Sequence, residues 1–317
     1  MLAEGMIADS RVDRHGSRIP PKDLTKLAEE INESKTALPF SINHDICVMP
    51  IGKVLSAKIV YSSDGEVEIH TNNEIFFEDI KELVFANEKY YISSSTIDSR
   101  PFLTMHVNSD KTIFEVDPAN YEEKDLQELS QYAAECNCAM QMNIRKALYS
   151  EPIIIFFVGT LLYKIANKTT DKLADKIADD ISSLYDTIKK LINKGIEKLR
   201  SDHLKITYLI SDKMDTCNIQ LVIISESPDD VFLALNKNTM QQLISKIADI
   251  REKFPKSMML QFIFDIKCKK WDFNYLATTD GEAIGSEKCY KHTKQLYIDN
   301  FSGKTNWNVS IEGMAKI

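Results

Sequence analysis

Apolar positions along this chain alternate, run on, or recur every three to four residues, and each rhythm predicts a different element. Over Asp23–Ser34, Leu24, Leu27, Ala28 and Ile31 fall at helical spacing, which predicts a helix with one buried face. Ile51–Tyr61 and the alternating Glu66–His70 read as strands on either side of Ser63-Asp64-Gly65, a hairpin turn. Glu74–Asn87 reads as a second helix. Lys89–Ile97, rich in Tyr, Ile, Ser and Thr, returns to strand.

The rhythm changes further on. Glu122–Tyr149 is polar, made of helix formers, and free of Gly and Pro. The apolar run Ile153–Tyr163 follows Pro152 and reads as the start of a buried helix. It falls well short of the roughly 20 residues that a spanning helix needs, so a membrane-inserting segment is the minority reading. Ile177, Ile181, Leu184, Ile188 and Leu191 then step by four and three, a heptad-like stripe within Asp171–Leu199 that must be covered by the chain itself or by a second copy. Lys164, Lys168, Lys172 and Lys176 form a basic row, read first as a solvated face, with an oligomerisation helix or a helix laid on acidic lipid or protein as the alternative. His203–Ile210, Ile219–Ile224 and Met258–Ile266 are strand-like. Thr239–Phe254 is an amphipathic helix with Thr239 as its expected cap, and Trp271–Ala277 and Ala283-Ile284 flank the turn Thr279-Asp280-Gly281. Together these predict an α+β chain: a β-rich domain over 1–121, a helical connector or oligomerisation segment over 122–200, and a C-terminal α/β domain over 201–317.

Composition narrows the function classes. In 317 residues, 44% are hydrophobic, enough for a sizeable core. A net charge of -8 argues against a broad nucleic-acid surface. With 10 glycines and neither GxGxxG nor GxxxxGK[ST], a phosphate-cradling loop is not expected, and no cofactor is. The first residues are too charged for a secretory signal, so the six scattered cysteines are expected as reduced thiols in the cytoplasm. Cys136-Asn137-Cys138 lacks the second pair of a structural zinc site and is read as two helix-borne thiols, so no metal is expected.

Candidate chemistry lies near the N-terminus. Val12-Asp13-Arg14-His15-Gly16-Ser17-Arg18-Ile19 is followed by Ile42-Asn43-His44-Asp45 and then Met49-Pro50-Ile51-Gly52-Lys53-Val54. Tyr90-Tyr91-Ile92-Ser93-Ser94-Ser95 and Phe114-Glu115-Val116-Asp117-Pro118-Ala119-Asn120 come after it. In this order the stretches resemble the prohead (capsid maturation) proteases of tailed phages, over about residues 5–125. The resemblance implies a β-rich serine protease fold, with His44 as base, Ser93 as nucleophile and Glu115 as the acidic orienter. Ser95, expected on the same strand face as Ser93, is the alternative nucleophile. Ser94 stands where that family commonly has glycine.

The chemistry is coherent: a serine hydroxyl needs a base within hydrogen-bond reach, and a carboxylate on the imidazole's other nitrogen fixes its tautomer. Asp45 could orient His44, but neighbours on an extended segment point apart. His15, His70, His106, His203 and His292 have no ligand-like spacing and read as structural or exposed, and Trp271 and Trp307 read as core or interface anchors. The expectation is a serine endopeptidase acting on itself or on a protein partner under control of its C-terminal domain, as a homo-oligomer. The alternatives are a protease-like, non-enzymatic scaffold or assembly protein, and a membrane-active or defence-type effector, whether of phage, prophage or host.

Overall fold

The computed structural model describes residues 1–12, 18–42, 45–105, 111–143, 152–159, 161–162, 165, 174–199 and 205–301, with side chains at 78, 174–182 and 301 left aside. Strand and helix are mixed throughout, with six α-helices among the described residues. Two compact units are interleaved along the chain. The first takes Met1–Leu103, Ile144–Ser150 and Tyr275–Ile317; the second takes Thr104–Asn143 and Glu151–Asn274. This division differs from the successive segments 1–121, 122–200 and 201–317. The physical reason is strand pairing: the late hairpin β13 (Lys270–Thr278) and β14 (Glu282–Ser286) ends against β6 (Glu88–Ser94), with Ala283 opposite Ser93.

In the first unit, β1 (Leu2–Asp9), β2 (Pro39–Phe40), β3 (Gly52–Tyr61) and β4 (Val67–Ile75) form an antiparallel sheet in the order β1-β4-β3-β2. The β3–β4 turn has Gly65 at φ 82, a conformation that needs no Cβ. Helix α1 (Pro21–Glu33) opens with proline at its first position, where a missing N–H costs nothing. Its Leu24, Ala28 and Ile31 pack on Ile7, Val54, Val67 and Ile69 of the sheet. The helix expected over Glu74–Asn87 is absent. After a short turn at Phe77–Asp79 the chain forms strand β5 (Lys81–Phe85), which pairs antiparallel with β6. Ala86 and Asn87, at φ 49 and 67, make the two-residue turn that sends the chain back. Helix α6 (Glu287–Phe301) follows β14, and its Tyr290 stacks on Tyr91 of β6 at 4.0 Å.

In the second unit, β7 (Ile113–Val116), β8 (Ala139–Met142), β9 (Ile153–Phe157), β10 (Ile206–Met214), β11 (Cys217–Ser225) and β12 (Ser257–Asp265) follow the order β8-β7-β9-β10-β11-β12, with the first half of β13 beside β12. Crossovers carry α2 (Glu123–Glu135) between β7 and β8 and α3 (Ala174–Glu197) between β9 and β10. Helices α4 (Pro228–Ala234) and α5 (Lys237–Lys253) lie between β11 and β12. Each of these three crossovers joins a parallel pair, as helix crossovers do.

The apolar run after Pro152 therefore opens as a strand rather than as a helix, and the buried Leu161 and Leu162 that follow are helical. Ile153–Phe157 is buried at every position between β10 and β7, and a continuous apolar run is the signature of a strand buried on both faces. Tyr163 and Lys164, like Lys168 and Lys172 of the basic row, lie outside the described residues, and of Lys176 only the helical backbone is described.

Of the heptad-like stripe, Ile188 and Leu191 are buried and Leu184 is half-buried; the side chains of Ile177 and Ile181 are outside the description. Tyr185 Oη donates to the Phe232 carbonyl at 2.7 Å and Lys198 meets Asp125 at 3.0 Å, so the end of α3 is held by its own unit. Helix α2 stops at Cys136, and Asn137 turns left-handed at φ 57, so Cys136 and Cys138 do not share a helix. Asn236 caps α5, accepting from Asn238 and Thr239 N–H, whereas the Thr239 hydroxyl donates back to the Ala234 carbonyl at 2.7 Å.

Candidate functional site

Pro50-Ile51-Gly52-Lys53 has a structural task at each described position. Ile51 is fully buried with Phe40, Ile42, Ile75 and Phe77, against Tyr290, Leu296 and Tyr297 of α6. Gly52 lies opposite Ile75, and a Cβ there would collide with the Glu74 carbonyl. Lys53, opposite Glu74 across the β3–β4 ladder, is completely buried; its ammonium donates to the carbonyls of Asp98 at 2.7 Å and Arg100 at 2.6 Å and sits 5.0 Å above the Phe102 ring. Burial holds its pKa below the usual lysine range, partly offset by Asp98 and Glu74.

Ser93 lies on β6, as expected, but has no solvent exposure. Its hydroxyl donates to the Pro50 carbonyl at 3.5 Å, at the limit of a hydrogen bond. Tyr91, on the same face of β6, is covered by Tyr290 of α6. His44, the expected base, lies outside the described residues, as do His15, His106, His203, Trp307 and residues 13–17 of the opening motif.

Ser95 is not on the strand with Ser93; it is the first residue beyond β6. Its hydroxyl donates to the Glu74 carboxylate and accepts from the N–H groups of Ile97 at 3.2 Å and Asp98 at 2.7 Å. Glu74 also accepts from Thr96 N and Oγ1, each at 3.1 Å. Arg100 grips Asp98 through Nη2 at 2.7 Å and reaches the carbonyls of Ser34, Val54 and Leu55. Burial raises the Asp98 pKa, but the bonds from Arg100 outweigh it and the carboxylate is held low. Ser95 is thus one tie in a charged knot that fixes the turn 95–100 to the β3–β4 hairpin.

Glu115 belongs to the second unit. It is buried on β7 and accepts from Asn143 Nδ2 at 2.7 Å. Ser93 belongs to the first unit.

A further pair was invisible in sequence. His292 of α6 meets Asp45 at 2.9 Å, both partly exposed. The Asp45 contact raises the imidazole pKa against a burial effect that lowers it; the Asp45 carboxylate, pushed up by burial, is brought below its ordinary value by His292 and the Cys47 N–H. Two buried thiols lie beside them: Cys289 Sγ is 3.7 Å from the Cys47 carbonyl. Burial pushes the Cys289 pKa up to about 12 and that of Cys47 higher still, so neither is a ready thiolate nucleophile. None of the six cysteines forms a disulfide, and among the described residues no cluster of three or more His, Cys, Asp or Glu side chains is placed to hold a metal. No helix among them is long and apolar enough to cross a membrane.

Lys53 lies within the Met49–Val54 motif, which is its local signal. Glu74, Arg100 and His292 carry no local signal for these ties, because Glu74 and His292 meet partners 22 and 247 residues away and Arg100 reaches carbonyls 45 to 66 residues away. Comparison with protein-family models, curated proteins and solved structures finds no match for this chain.

Proposed function

We propose that the chain uses a protease-like, β-rich N-terminal region as a scaffold and acts by assembling with protein partners, a second copy first among them, rather than by cutting peptide bonds. The observation that carries this reading is the burial of Ser93. A nucleophile must reach a substrate carbonyl carbon, and a side chain without exposure, bonded to a backbone carbonyl, offers no line of attack. The ties made by Gly52, Lys53 and Ser95 support the same reading, since each gives its residue a structural reason to be there.

A serine endopeptidase acting on itself or a partner is the second reading. One contact favours it: Ser93 meets Pro50, at the end of the segment that carries His44. A membrane-active effector draws little support, because the first five residues of the apolar segment that suggested it form a strand buried at every position. Six cysteines without a disulfide fit a reducing cytoplasmic setting, and the net charge of -8 fits protein rather than nucleic-acid partners.

Prolonged incubation of the purified chain and of Ser93→Ala, each followed by intact-mass analysis and light scattering, tests the reading. It expects unchanged masses for both and an oligomer for both. Fragments from the wild type that vanish in Ser93→Ala would overturn it in favour of the peptidase.

A further inference from the structure

Strand β5 is exposed at all five positions, Lys81 to Phe85. It ends the strand order β5-β6-β14, and it carries Leu83 at 37%, Val84 at 59% and Phe85 at 47% exposure. Edge strands normally protect themselves with charge, proline or a bulge, because their free backbone groups template pairing. Here three consecutive apolar side chains sit on the edge.

The hairpin turn fixes which backbone groups are free. Phe85 and Glu88 flank a two-residue turn, the position at which the two strands exchange both hydrogen bonds. Alternation from there turns the N–H and C=O of Leu83 and Lys81 towards β6, and those of Val84 and Glu82 away from it. We propose that this edge pairs antiparallel with β5 of a second copy about a two-fold axis through Leu83. The inference rests on the assembly reading above and names its partner.

Hydrogen-bond phase and charge together select this register. With the axis at Leu83, Glu82 faces Val84 of the second copy and Val84 faces its Glu82, which matches outward groups with outward groups at both pairs. Leu83 then meets its own copy at a non-hydrogen-bonded position, where Cα atoms approach to about 4.5 Å. An axis at Glu82 would set two carboxylates directly opposite, which is destabilising. An axis at Val84 would set Glu82 against Ala86, whose φ of 49 takes it out of the ladder. On the face of Leu83, Phe85 meets Lys81 of the second copy, an aromatic ring against a cation and its aliphatic stem.

The experiment uses the full chain with Cys136 and Cys268, the two cysteines that are not buried, replaced by serine. Mild oxidation of Leu83→Cys should give a covalent dimer, and Val84→Cys, which would face Glu82, should give far less. Sedimentation should show self-association weakened about tenfold or more by Val84→Glu. Val84→Lys should retain it, because the introduced lysine faces Glu82, and Glu82→Lys combined with Val84→Glu should restore it. Circular dichroism checks that each variant is folded. Equal cross-linking at 83 and 84, or equal loss with Val84→Glu and Val84→Lys, would overturn the register. An oligomer untouched by every β5 variant would overturn this interface and leave the assembly reading standing, whereas a strict monomer would overturn both.

Discussion

Two regions of the first unit invert the usual arrangement of side chains in opposite ways. Around the turn 95–100, the charged groups Lys53 and Glu74 are buried, and Asp98 and Arg100 partly so. A few residues away in sequence, on β5, Leu83, Val84 and Phe85 are in solvent. The buried charges are answered from all sides: carbonyls for Lys53, hydroxyls and an N–H for Glu74, a carboxylate and three carbonyls for Arg100. The exposed apolar strand pairs with β6. Buried charge that is answered on every side belongs to the fold itself, and the exposed hydrophobic strand is the surface that the proposed assembly would use.

The largest expected effect breaks the charged side. Lys53→Met should cost about 3–5 kcal/mol, because the carbonyls of Asp98 and Arg100 lose their donor and Glu74 loses the cation across the ladder. Urea denaturation measures it, and a loss below about 1 kcal/mol would remove the knot as an explanation for the motif.

Asp212 of the second unit sharpens the contrast, being a buried carboxylate held by backbone N–H groups. Burial pushes its pKa up from 3.8 to about 6, against the N–H groups of Leu162, Lys213 and Leu161. The folded state therefore holds its proton longer than the unfolded state. The stability that this proton confers is full below pH 4 and is lost as pH rises through about 6, roughly 3 kcal/mol in all. Asp212→Asn should gain on the wild type by about that amount between pH 4 and 7.5, as read by denaturation at both values.

The Asp45–His292 pair is half in water and should matter less. Its contribution, about 0.5 kcal/mol, is present while the imidazole is charged and the carboxylate ionised. It is lost as pH rises through the raised His292 pKa, and again as pH falls through the lowered Asp45 pKa. In Asp45→Asn, an NMR titration should place His292 nearer 6.5 than in the wild type. The smallest effect is at the edge itself: Val84→Glu should change the stability of the dilute chain by less than about 0.5 kcal/mol, since the side chain is exposed, even as it removes assembly.

Sequence rhythm revealed the elements whose signals are local. The β3–β4 and β13–β14 hairpins were legible in Asp64-Gly65 and Asp280-Gly281, both with glycine at positive φ, and α1 in its periodic face. Strand β5 was misread as helix because its turn, Ala86-Asn87, contains no glycine and its mixture of Glu, Lys and Leu suits a helix equally well. Strand β9 was misread because a short apolar run does not reveal its period. At the candidate site, the position of Ser93 on a strand was legible. Its burial was not, because it depends on Pro50 and on a helix near residue 290. Nor was the assignment of Glu115 and Ser93 to different units, because it depends on long-range pairing: Ser93's strand pairs with β5 and β14, and Glu115's with β8 and β9.

The most direct test of whether the protease-like region is a scaffold is labelling of the native chain with a fluorophosphonate, which modifies only activated serine hydroxyls. Tryptic mass spectrometry should find Ser93 unmodified in the folded protein at every pH at which it remains folded. A stoichiometric adduct on Ser93 would contradict the account, because it would show a serine that is both reachable and activated.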